Sequence, residues 1–337
     1  TRRIDPMSEL RPHETGICLI GGTGRSGTTV LKRILANHPD ATGMREYRIT
    51  IDPDGIVDFY KSLKTHWTPY LFDHKLKKLH SLLKASANSN SLAKYYRYAL
   101  RKSGLSKKLL KLESRYTDIG INQYCPQYSD YVSDLITSLR EFKYKGTWTG
   151  QHFGEKAEIS YSSYPADDQL AQKLGTFYRL VATSVAKRDQ ATHFVDDNTW
   201  NILYLRELLE IIPDAKLVHI YRDPRDVTAS YIKQSWAPSD PVQAAQFCSS
   251  ILSKWKQIKN EISDEAYHEV SLEKLVEETE TVLKKITAFW GLSWNEALMK
   301  LDLSKSNRGR WKKDIPSVKK QKVQEILSEH LKDYGYE

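Results

Sequence analysis

A glycine-rich turn near the start of the chain constrains the possible folds more than any other feature. Residues 22–29 (Gly-Thr-Gly-Arg-Ser-Gly-Thr-Thr) follow an apolar run at residues 17–20 and precede an amphipathic helical pattern at residues 30–35. A strand, a glycine-rich turn and a helix in this order point several backbone N–H groups and the positive end of a helix dipole at one place. The turn therefore predicts a binding site for an anion such as a phosphate, although an ordinary strand-to-helix turn has the same pattern.

The side chains of this turn narrow the type of anion site. Gly22 and Gly27, with four residues between them, have the spacing of a P-loop, but Thr28 stands where that motif has a lysine. The cation of the turn is Arg25, and Thr28 and Thr29 add hydroxyl groups. We expect the turn to bind a nucleotide phosphate without hydrolysing a nucleoside triphosphate.

A second segment, residues 215–230, combines a strand with anion-binding side chains. Its pattern predicts a buried strand at residues 215–221, followed by a helix that Pro224 opens. Arg222 leaves the carboxyl end of the strand, and Ser230 lies about two helical turns further on. Two such side chains at this edge of a parallel sheet form a second phosphate site. A turn closed by its own salt bridges is the alternative.

Together the two segments resemble the sulfotransferases that use 3′-phosphoadenosine 5′-phosphosulfate (PAPS). In that family a Gly-x-x-Arg-Ser-Gly-Thr-Thr turn binds the 5′-phosphosulfate, and an Arg and a Ser on an Arg-Asp-Pro-Arg-Asp segment bind the 3′-phosphate. The resemblance places PAPS, and its product adenosine 3′,5′-bisphosphate (PAP), on Gly24, Arg25, Ser26, Gly27, Thr28, Thr29, Arg222 and Ser230. Similar segments occur at residues 37–40, 213–215, 270–275, 289–292 and 309–312, whereas residues 55–165 have no counterpart.

The resemblance also implies a general base. Glu46, twenty-one residues after Arg25, matches the glutamate that takes the acceptor's proton in tyrosylprotein and related Golgi-type sulfotransferases. A side chain positioned for this proton transfer contributes about 10²–10⁴-fold to the rate. Arg48 is expected to lie near it and is the third predicted catalytic residue, with Glu46 and Arg25. The alternatives are a solvent-facing Glu46 paired with an arginine, and His152 as an assisting base.

One segment departs from the family. Many relatives have a lysine that contacts the sulfuryl or bridging oxygens, but the matching residues 195–201 (Val-Asp-Asp-Asn-Thr-Trp-Asn) contain none. Another cation can substitute, and the candidates are Lys32, Arg48 and Lys187. Alternatively, Asp196 or Asp197 binds a cationic acceptor, or Asp197 or Asn198 caps the helix that follows.

A basic segment at residues 306–313 completes the predicted donor site. In the family the matching loop folds over the 3′-phosphate and the nucleotide, which implies binding by Arg308, Gly309, Arg310, Trp311 and Lys312. Arg310 and Lys312 are the predicted charge contacts, and Gly309 permits close approach of the backbone. Trp311 stacks on the adenine or anchors the loop in the core. A solvated basic run is the alternative for the whole segment.

The alternation of apolar strands and amphipathic helices predicts the fold class. We expect an α/β protein with a P-loop-like parallel sheet flanked by helices and with an inserted, mostly helical subdomain on the acceptor side. The core is residues 14–54 and 165–337, and the insertion, with many aromatic residues, is residues 55–164. Residues 1–6 precede Met7 and are interpreted as a remnant of an expression vector.

Composition limits the compartment and the cofactors. No apolar run among the 337 residues approaches the roughly 18 that a membrane-spanning helix needs. The three cysteines are scattered, and neither they nor the ten histidines have metal-ligand spacing, so no metal is predicted. An odd cysteine count fits a reducing compartment, and the predicted location is cytoplasmic. The oligomeric state is left open.

Positive charge is concentrated in one part of the chain. Residues 61–113 contain thirteen lysines and arginines against two carboxylates, whereas the whole chain has a net charge of +9. The basic residues from Lys61 to Lys111 can attract an anionic acceptor, and they equally suit the solvated faces of amphipathic helices. The sequence does not specify whether the acceptor is a small molecule, a glycan or a peptide.

Two other classes of function compete with sulfuryl transfer. A small-molecule P-loop kinase that uses ATP explains the first turn, but it needs the missing lysine and an acidic ligand for Mg²⁺. A protein that binds nucleic acid or another polyanion explains the basic segment, but it leaves the paired phosphate sites without a purpose. We therefore expect a sulfotransferase that does not bind nucleic acid.

Overall fold

The computed structural model describes residues 15–44, 47–89, 119–150, 155–164, 166–301 and 308–337. These residues form two compact units. The helical unit comprises Thr15, Met44–Gln190 and Glu210–Ile212, and the sheet unit comprises Gly16–Gly43, Ala191–Leu209 and Pro213–Glu337. The predicted insertion falls within the helical unit, and its boundaries as a separate domain stay a prediction. Residues 1–6 lie outside the described residues.

A parallel sheet forms the centre of the sheet unit. The strands in chain order are β1 (Gly16–Gly21), β2 (Ala41–Gly43), β3 (Phe142–Gly146), β4 (Ala157–Tyr161), β5 (His193–Asp196), β6 (Lys216–Tyr221) and β7 (Tyr267–Ser271). Five of them form one sheet in the order β2-β5-β1-β6-β7. Each neighbouring pair in this sheet is parallel, which confirms the predicted fold class.

Helices precede and follow these strands along the chain. The α-helices are α1 (Thr28–Leu35), α2 (Ile56–Thr65), α3 (Pro69–Ala87), α4 (Tyr128–Ser138), α5 (Asp167–Arg188), α6 (Leu205–Ile211), α7 (Pro224–Tyr231), α8 (Pro241–Lys259), α9 (Leu272–Glu277), α10 (Thr279–Trp290), α11 (Trp311–Asp314) and α12 (Ser317–Asp333). Short 3₁₀ turns are found at Ile121–Gln123, Thr199–Leu203, Asp264–Ala266 and Glu296–Lys300. Among the described residues, no helix combines the length and the hydropathy that a membrane-spanning segment needs.

Two apolar clusters hold the sheet unit together. In the first, alternate residues of β1 and β6 pack with α1 and α10, as expected for strands whose faces are covered by helices; its members include Cys18, Ile20, Leu31, Ile34, Val218, Ile220, Leu283 and Ile286. The second cluster joins α7, α8 and α12, and it includes Val227, Tyr231, Ala244, Cys248, Leu252, Val323 and Leu327. The second cluster therefore fixes α7, the helix that the second predicted anion segment opens.

The central strands β1 and β6 end side by side. Gly21, the last residue of β1, pairs in register with His219 of β6. The glycine-rich turn follows β1 directly, and Arg222 follows β6 directly. Both predicted anion segments thus start from the carboxyl edge of adjacent strands, where open α/β sheets bind ligands.

The helical unit contains α2 to α5 and an antiparallel pair of strands, β3 and β4. Asp73 of α3 is buried and accepts hydrogen bonds from the Trp148 indole at 3.1 Å and from the Ser160 backbone N–H at 2.9 Å. Lys77 Nζ lies 2.7 Å from the same carboxylate and balances its charge. This buried carboxylate therefore connects α3 with β4.

Candidate active site

The glycine-rich turn has a backbone that few other sequences can adopt. The φ angles of Gly24, Arg25 and Gly27 are +79°, +59° and +115°, so three residues lie in the left-handed region. A Cβ atom at Gly27 would also lie 2.9 Å from Leu272 Cδ1. Arg25 is a non-glycine residue with this conformation, which is uncommon and concentrates at functional sites. The glycines are therefore required by the backbone conformation of the turn, and this conformation fixes the position of Arg25.

Helix α1 begins at this turn, and its first N–H groups have no hydrogen-bond acceptor within the part of the chain that the structure describes. Gly27 is its N-cap residue and supplies no side-chain cap, and the first turn contains no acidic residue. The helical bonding starts with Leu31 N donating to Gly27 O at 3.0 Å, so the N–H groups of Thr28 and Thr29 precede it. Ser26 Oγ is buried and has no hydrogen-bond partner among the described residues. An uncapped helix N-terminus with an unpaired buried hydroxyl beside it fits an anion.

Helix α7 begins differently. Pro224 is its first residue, as predicted, but Asp223 caps it by accepting from Arg225 N at 2.9 Å. Asp223 and Asp226 also pair with Arg225 and Arg222, at 2.8 and 3.3 Å. The salt-bridged turn that the sequence allowed as an alternative is therefore present. Because carboxylates already occupy this helix end, an anion in the second segment has to be bound by side chains.

The two predicted segments meet directly. Arg25 Nε donates a hydrogen bond to Ser230 Oγ at 3.0 Å. Next to it, the Tyr231 hydroxyl donates to the carbonyl oxygen of Thr23, and burial raises the pKa of Tyr231. One helical turn earlier, about 5.4 Å along α7, Asp226 pairs with Arg222. Arg25 and Arg222 thus lie beside successive turns of one helix.

Asp226 brings a third segment to the same helix. Its carboxylate is fully buried and accepts from Gly309 N at 2.7 Å and from Trp311 N at 3.0 Å, in addition to Arg222. Asp226 thereby fixes the predicted nucleotide loop to α7. Asp226 is absent from the predicted site residues, although its position four residues after Arg222 is a usable signal.

The two arginines of the third segment have carboxylate partners in this structure. Arg310 Nη2 lies 2.8 Å from Asp314, and Arg308 pairs with Glu277. Hydrogen bonds from Lys233 and Arg310 lower the pKa of Asp314. Lys312 is exposed. Contact of Arg308 or Arg310 with a nucleotide would therefore require that arginine to share or exchange its carboxylate.

Trp311 is anchored rather than free to stack. The guanidinium of Arg225 lies 4.5 Å from the centroid of its ring, a distance at which cations are attracted to indole. Trp311 also packs against the apolar cluster of α7, α8 and α12. Of the two predicted roles, the structure favours the anchor.

The segment that lacks the family lysine contains an ion pair. Lys32 Nζ of α1 lies 2.7 Å from Asp197 Oδ1, so a cation balances this carboxylate. Asp196 is buried and accepts from Asn198 N at 3.0 Å. Asn198 is the N-cap residue of the following 3₁₀ turn but forms no side-chain cap, so the capping alternative is wrong for Asn198.

The other predicted residues lie outside the described residues or belong to the helical unit. Glu46 and His152 lie outside the described residues. Arg48 is exposed and belongs, with Lys187, to the helical unit. Within the basic segment, Lys64, Lys75 and Lys77 lie 2.7 Å from Glu210, Asp58 and Asp73, and the basic residues from Lys94 to Lys111 lie outside the described residues. Part of the charge predicted to attract an anionic acceptor is therefore balanced locally.

A parallel sheet in which a glycine-rich turn and an uncapped helix follow a central strand defines an α/β protein with a P-loop-like fold. The model of the sulfotransferase family matches residues 18–296, which include both strand-and-turn segments. The chain belongs to the sulfotransferase family, and the resemblance seen in the sequence is confirmed.

Comparison with solved structures finds sulfotransferases, and the first of them has a similar fold. The sulfotransferase domain from the olefin synthase of Synechococcus PCC 7002 is 13% identical, with a TM-score of 0.50 and 94% of each chain covered. The sulfotransferase domain from the curacin biosynthetic pathway gives a TM-score of 0.47 at 14% identity, with 94% of this chain and 96% of that chain covered. Sulfotransferase STF9 from Mycobacterium avium gives 0.46 at 13% identity, with 95% and 77% covered. Comparison with curated protein sequences gave no match.

Proposed function

We propose that the sheet unit binds PAPS and that the protein transfers its sulfuryl group to a hydroxyl or amine of an acceptor. The observation that carries this proposal is the hydrogen bond between Arg25 and Ser230, because it joins the two anion segments on one helix. A nucleotide with an anionic group at each end suits two cationic side chains on successive turns. Family membership favours sulfuryl transfer over the phosphoryl transfer of a kinase.

Each end of the donor has its own set of groups. The N–H groups of Thr28 and Thr29, the hydroxyl of Ser26 and the guanidinium of Arg25 would bind the 5′-phosphosulfate. Arg222 and Ser230 would bind the 3′-phosphate, with the loop of residues 308–312 beside it. The family resemblance implies this division, and the different helix ends support it, since α1 is uncapped and Asp223 caps α7.

The proposed reaction is an in-line displacement at sulfur. A bond forms between the acceptor oxygen or nitrogen and sulfur, while the bond from sulfur to the bridging oxygen of the 5′-phosphate breaks. PAP leaves with the electron pair, and the acceptor's proton passes to the Glu46 carboxylate. Pre-oriented N–H groups and Arg25 stabilise the charge that develops on the leaving phosphate. Since a sulfuryl group carries less charge than a phosphoryl group, we propose that no metal is needed.

Lys32 is our choice for the cation that replaces the missing family lysine. It lies in the sheet unit and pairs with Asp197, the acid whose charge would otherwise oppose that of the leaving phosphate. A paired Asp197 is also less suited to bind a cationic acceptor. A small-molecule, glycan or peptide acceptor and a cytoplasmic location stay predictions.

Turnover by a Glu46→Gln variant tests the proposed base. Transfer of labelled sulfate from PAPS to a panel of hydroxyl and amine acceptors should fall by about 10²–10⁴-fold, whereas the affinity for PAP should stay unchanged. Glu265→Gln, which alters an exposed carboxylate of the sheet unit, should behave like the parent protein. Retained activity in Glu46→Gln would exclude Glu46 as the base and transfer the role to His152, Asp196 or Asp197.

A further inference from the structure

Tyr336 connects the segment after α12, by hydrogen bonds, to the turn that contains Arg222. Arg225 Nη2 donates to the backbone carbonyl of Tyr336 at 2.9 Å. The Tyr336 hydroxyl donates to Glu273 Oε2 at 2.6 Å, and burial together with this hydrogen bond raises the pKa of Tyr336. Tyr336 thus contacts Arg225 of the turn through its backbone carbonyl, and it contacts Glu273 through its hydroxyl.

Glu273 carries the first connection to Arg222. It is buried, and its other oxygen, Oε1, accepts from the backbone N–H of Asp223 at 3.1 Å. That N–H belongs to the peptide bond directly after Arg222. Ser271 Oγ donates to Oε2 at 2.9 Å, so Tyr336 supplies one of the two hydroxyl donors that orient this carboxylate. Without the Tyr336 hydroxyl, Glu273 keeps only the Ser271 donor on Oε2, and the acceptor of the N–H after Arg222 is held less firmly.

Arg225 carries the second connection. Its Nε and Nη2 hold both oxygens of Asp223, at 3.0 and 2.8 Å. Its guanidinium covers the ring of Trp311 at 4.5 Å, and Trp311 N donates to Asp226, the partner of Arg222. The two connections reach Arg222 from opposite ends, through its own peptide bond and through its carboxylate partner.

On the basis of the proposed function, we propose that Tyr336 is a positioning residue for the 3′-phosphate subsite. It holds the backbone of Arg222, and Asp226 with its hydrogen-bond partners, in the geometry that binds a 3′-phosphate. Nucleotides with a 3′-phosphate are thereby distinguished from those without one. Charge-assisted hydrogen bonds depend strongly on geometry. A small displacement of Arg222 therefore lowers the affinity for the 3′-phosphate and leaves the binding of the 5′-phosphate at α1 intact.

Calorimetric titration of the Tyr336→Phe variant with PAP and with adenosine 5′-monophosphate tests this role. The ratio of the two affinities should fall by about fivefold, which corresponds to the loss of one hydrogen bond, while the affinity for the monophosphate stays constant. Tyr334→Phe is the matched control. Its ring stacks on Tyr221 at 4.4 Å, and its hydroxyl lies 3.5 Å from Glu269 rather than Glu273, so the ratio should not change.

Arg222→Gln separates the two levels of the proposal, because it removes the charge but retains an N–H donor for Asp226. If Arg222→Gln lowers the ratio and Tyr336→Phe does not, the positioning role is wrong and the proposed donor stands. If neither variant changes the ratio, the proposed donor is wrong as well. Equal weakening of both nucleotides in Tyr336→Phe would mean general destabilisation and would also overturn the positioning role.

Discussion

Arg25 and Ser230 are 205 residues apart in the chain, and the Arg25 Nε donates a hydrogen bond to the Ser230 Oγ at 3.0 Å. Arg25 has a left-handed backbone conformation, and Ser230 lies in the last turn of α7, where it is almost fully buried. The contact between them depends on the packing of two segments that are distant in the sequence. The contact joins the turn after β1 to the helix after β6, as a single donor site would require.

Ser230→Ala should weaken PAP binding by about tenfold. The substitution removes a hydroxyl that we propose binds the 3′-phosphate, and a hydrogen bond to a charged group contributes about 1.5–3 kcal/mol. Ser250→Ala on α8 changes an exposed serine of the same unit and should have no effect. Calorimetry on both variants measures the difference. An unchanged affinity in Ser230→Ala would remove this residue from the site.

Gly27→Ala should both destabilise the protein and weaken PAP binding. The alanine would have to adopt a φ of +115° with its Cβ 2.9 Å from Leu272 Cδ1. Gly291→Ala is the matched control, because Gly291 has a φ of +78° but no atom within 4 Å of the added Cβ. Its free energy of unfolding should fall only by the cost of a left-handed alanine, roughly 1–2 kcal/mol.

Thermal unfolding and calorimetry distinguish the two glycines. We expect the lower midpoint and the weaker binding in Gly27→Ala. Equal midpoints with unchanged PAP affinity would show that close packing at the turn contributes nothing to the site.

Lys32→Ala should lower the transfer rate more than it lowers PAP affinity. The variant removes the proposed cation for the leaving phosphate and leaves the largely buried Asp197 without this partner, which also costs stability. Adding Asp197→Asn should restore part of the stability but not the rate. Arg33→Ala, an exposed cation on the same helix, is the control. A full rate in Lys32→Ala would assign the cation to another residue.

Much of the fold could be predicted because its signals are local. The apolar run at residues 193–196 is β5, and the Pro224 signal marks the first residue of α7. The apolar pattern of residues 201–212 is that of a single helix, whereas the structure has a 3₁₀ turn at Thr199–Leu203 before α6. The cause is tertiary, since the Asn201 side chain donates to the carbonyl oxygens of Ile20 and Asp196. Helical periodicity does not predict a contact of this kind, because it depends on a residue distant in the chain.

The candidate site was predictable where a motif defines it and unpredictable where distant groups define it. The positions of Arg25 and Ser230 followed from the two motifs. The role of Asp226 depends on backbone N–H groups more than 80 residues away, and that of Glu273 depends on Tyr336. A carboxylate in such a network has no sequence pattern of its own.

Calorimetric titration with PAP in EDTA is the most direct test of one donor site that spans Arg25 and Arg222. We expect PAP to bind without a divalent metal and to lose about 10- to 100-fold in affinity in Arg222→Gln, as is usual for a charged hydrogen bond, with Arg33→Ala unaffected. ATP with Mg²⁺ should bind more weakly than PAP. Tighter binding of ATP with Mg²⁺, or an unchanged PAP affinity in Arg222→Gln, would contradict a PAPS-dependent sulfotransferase.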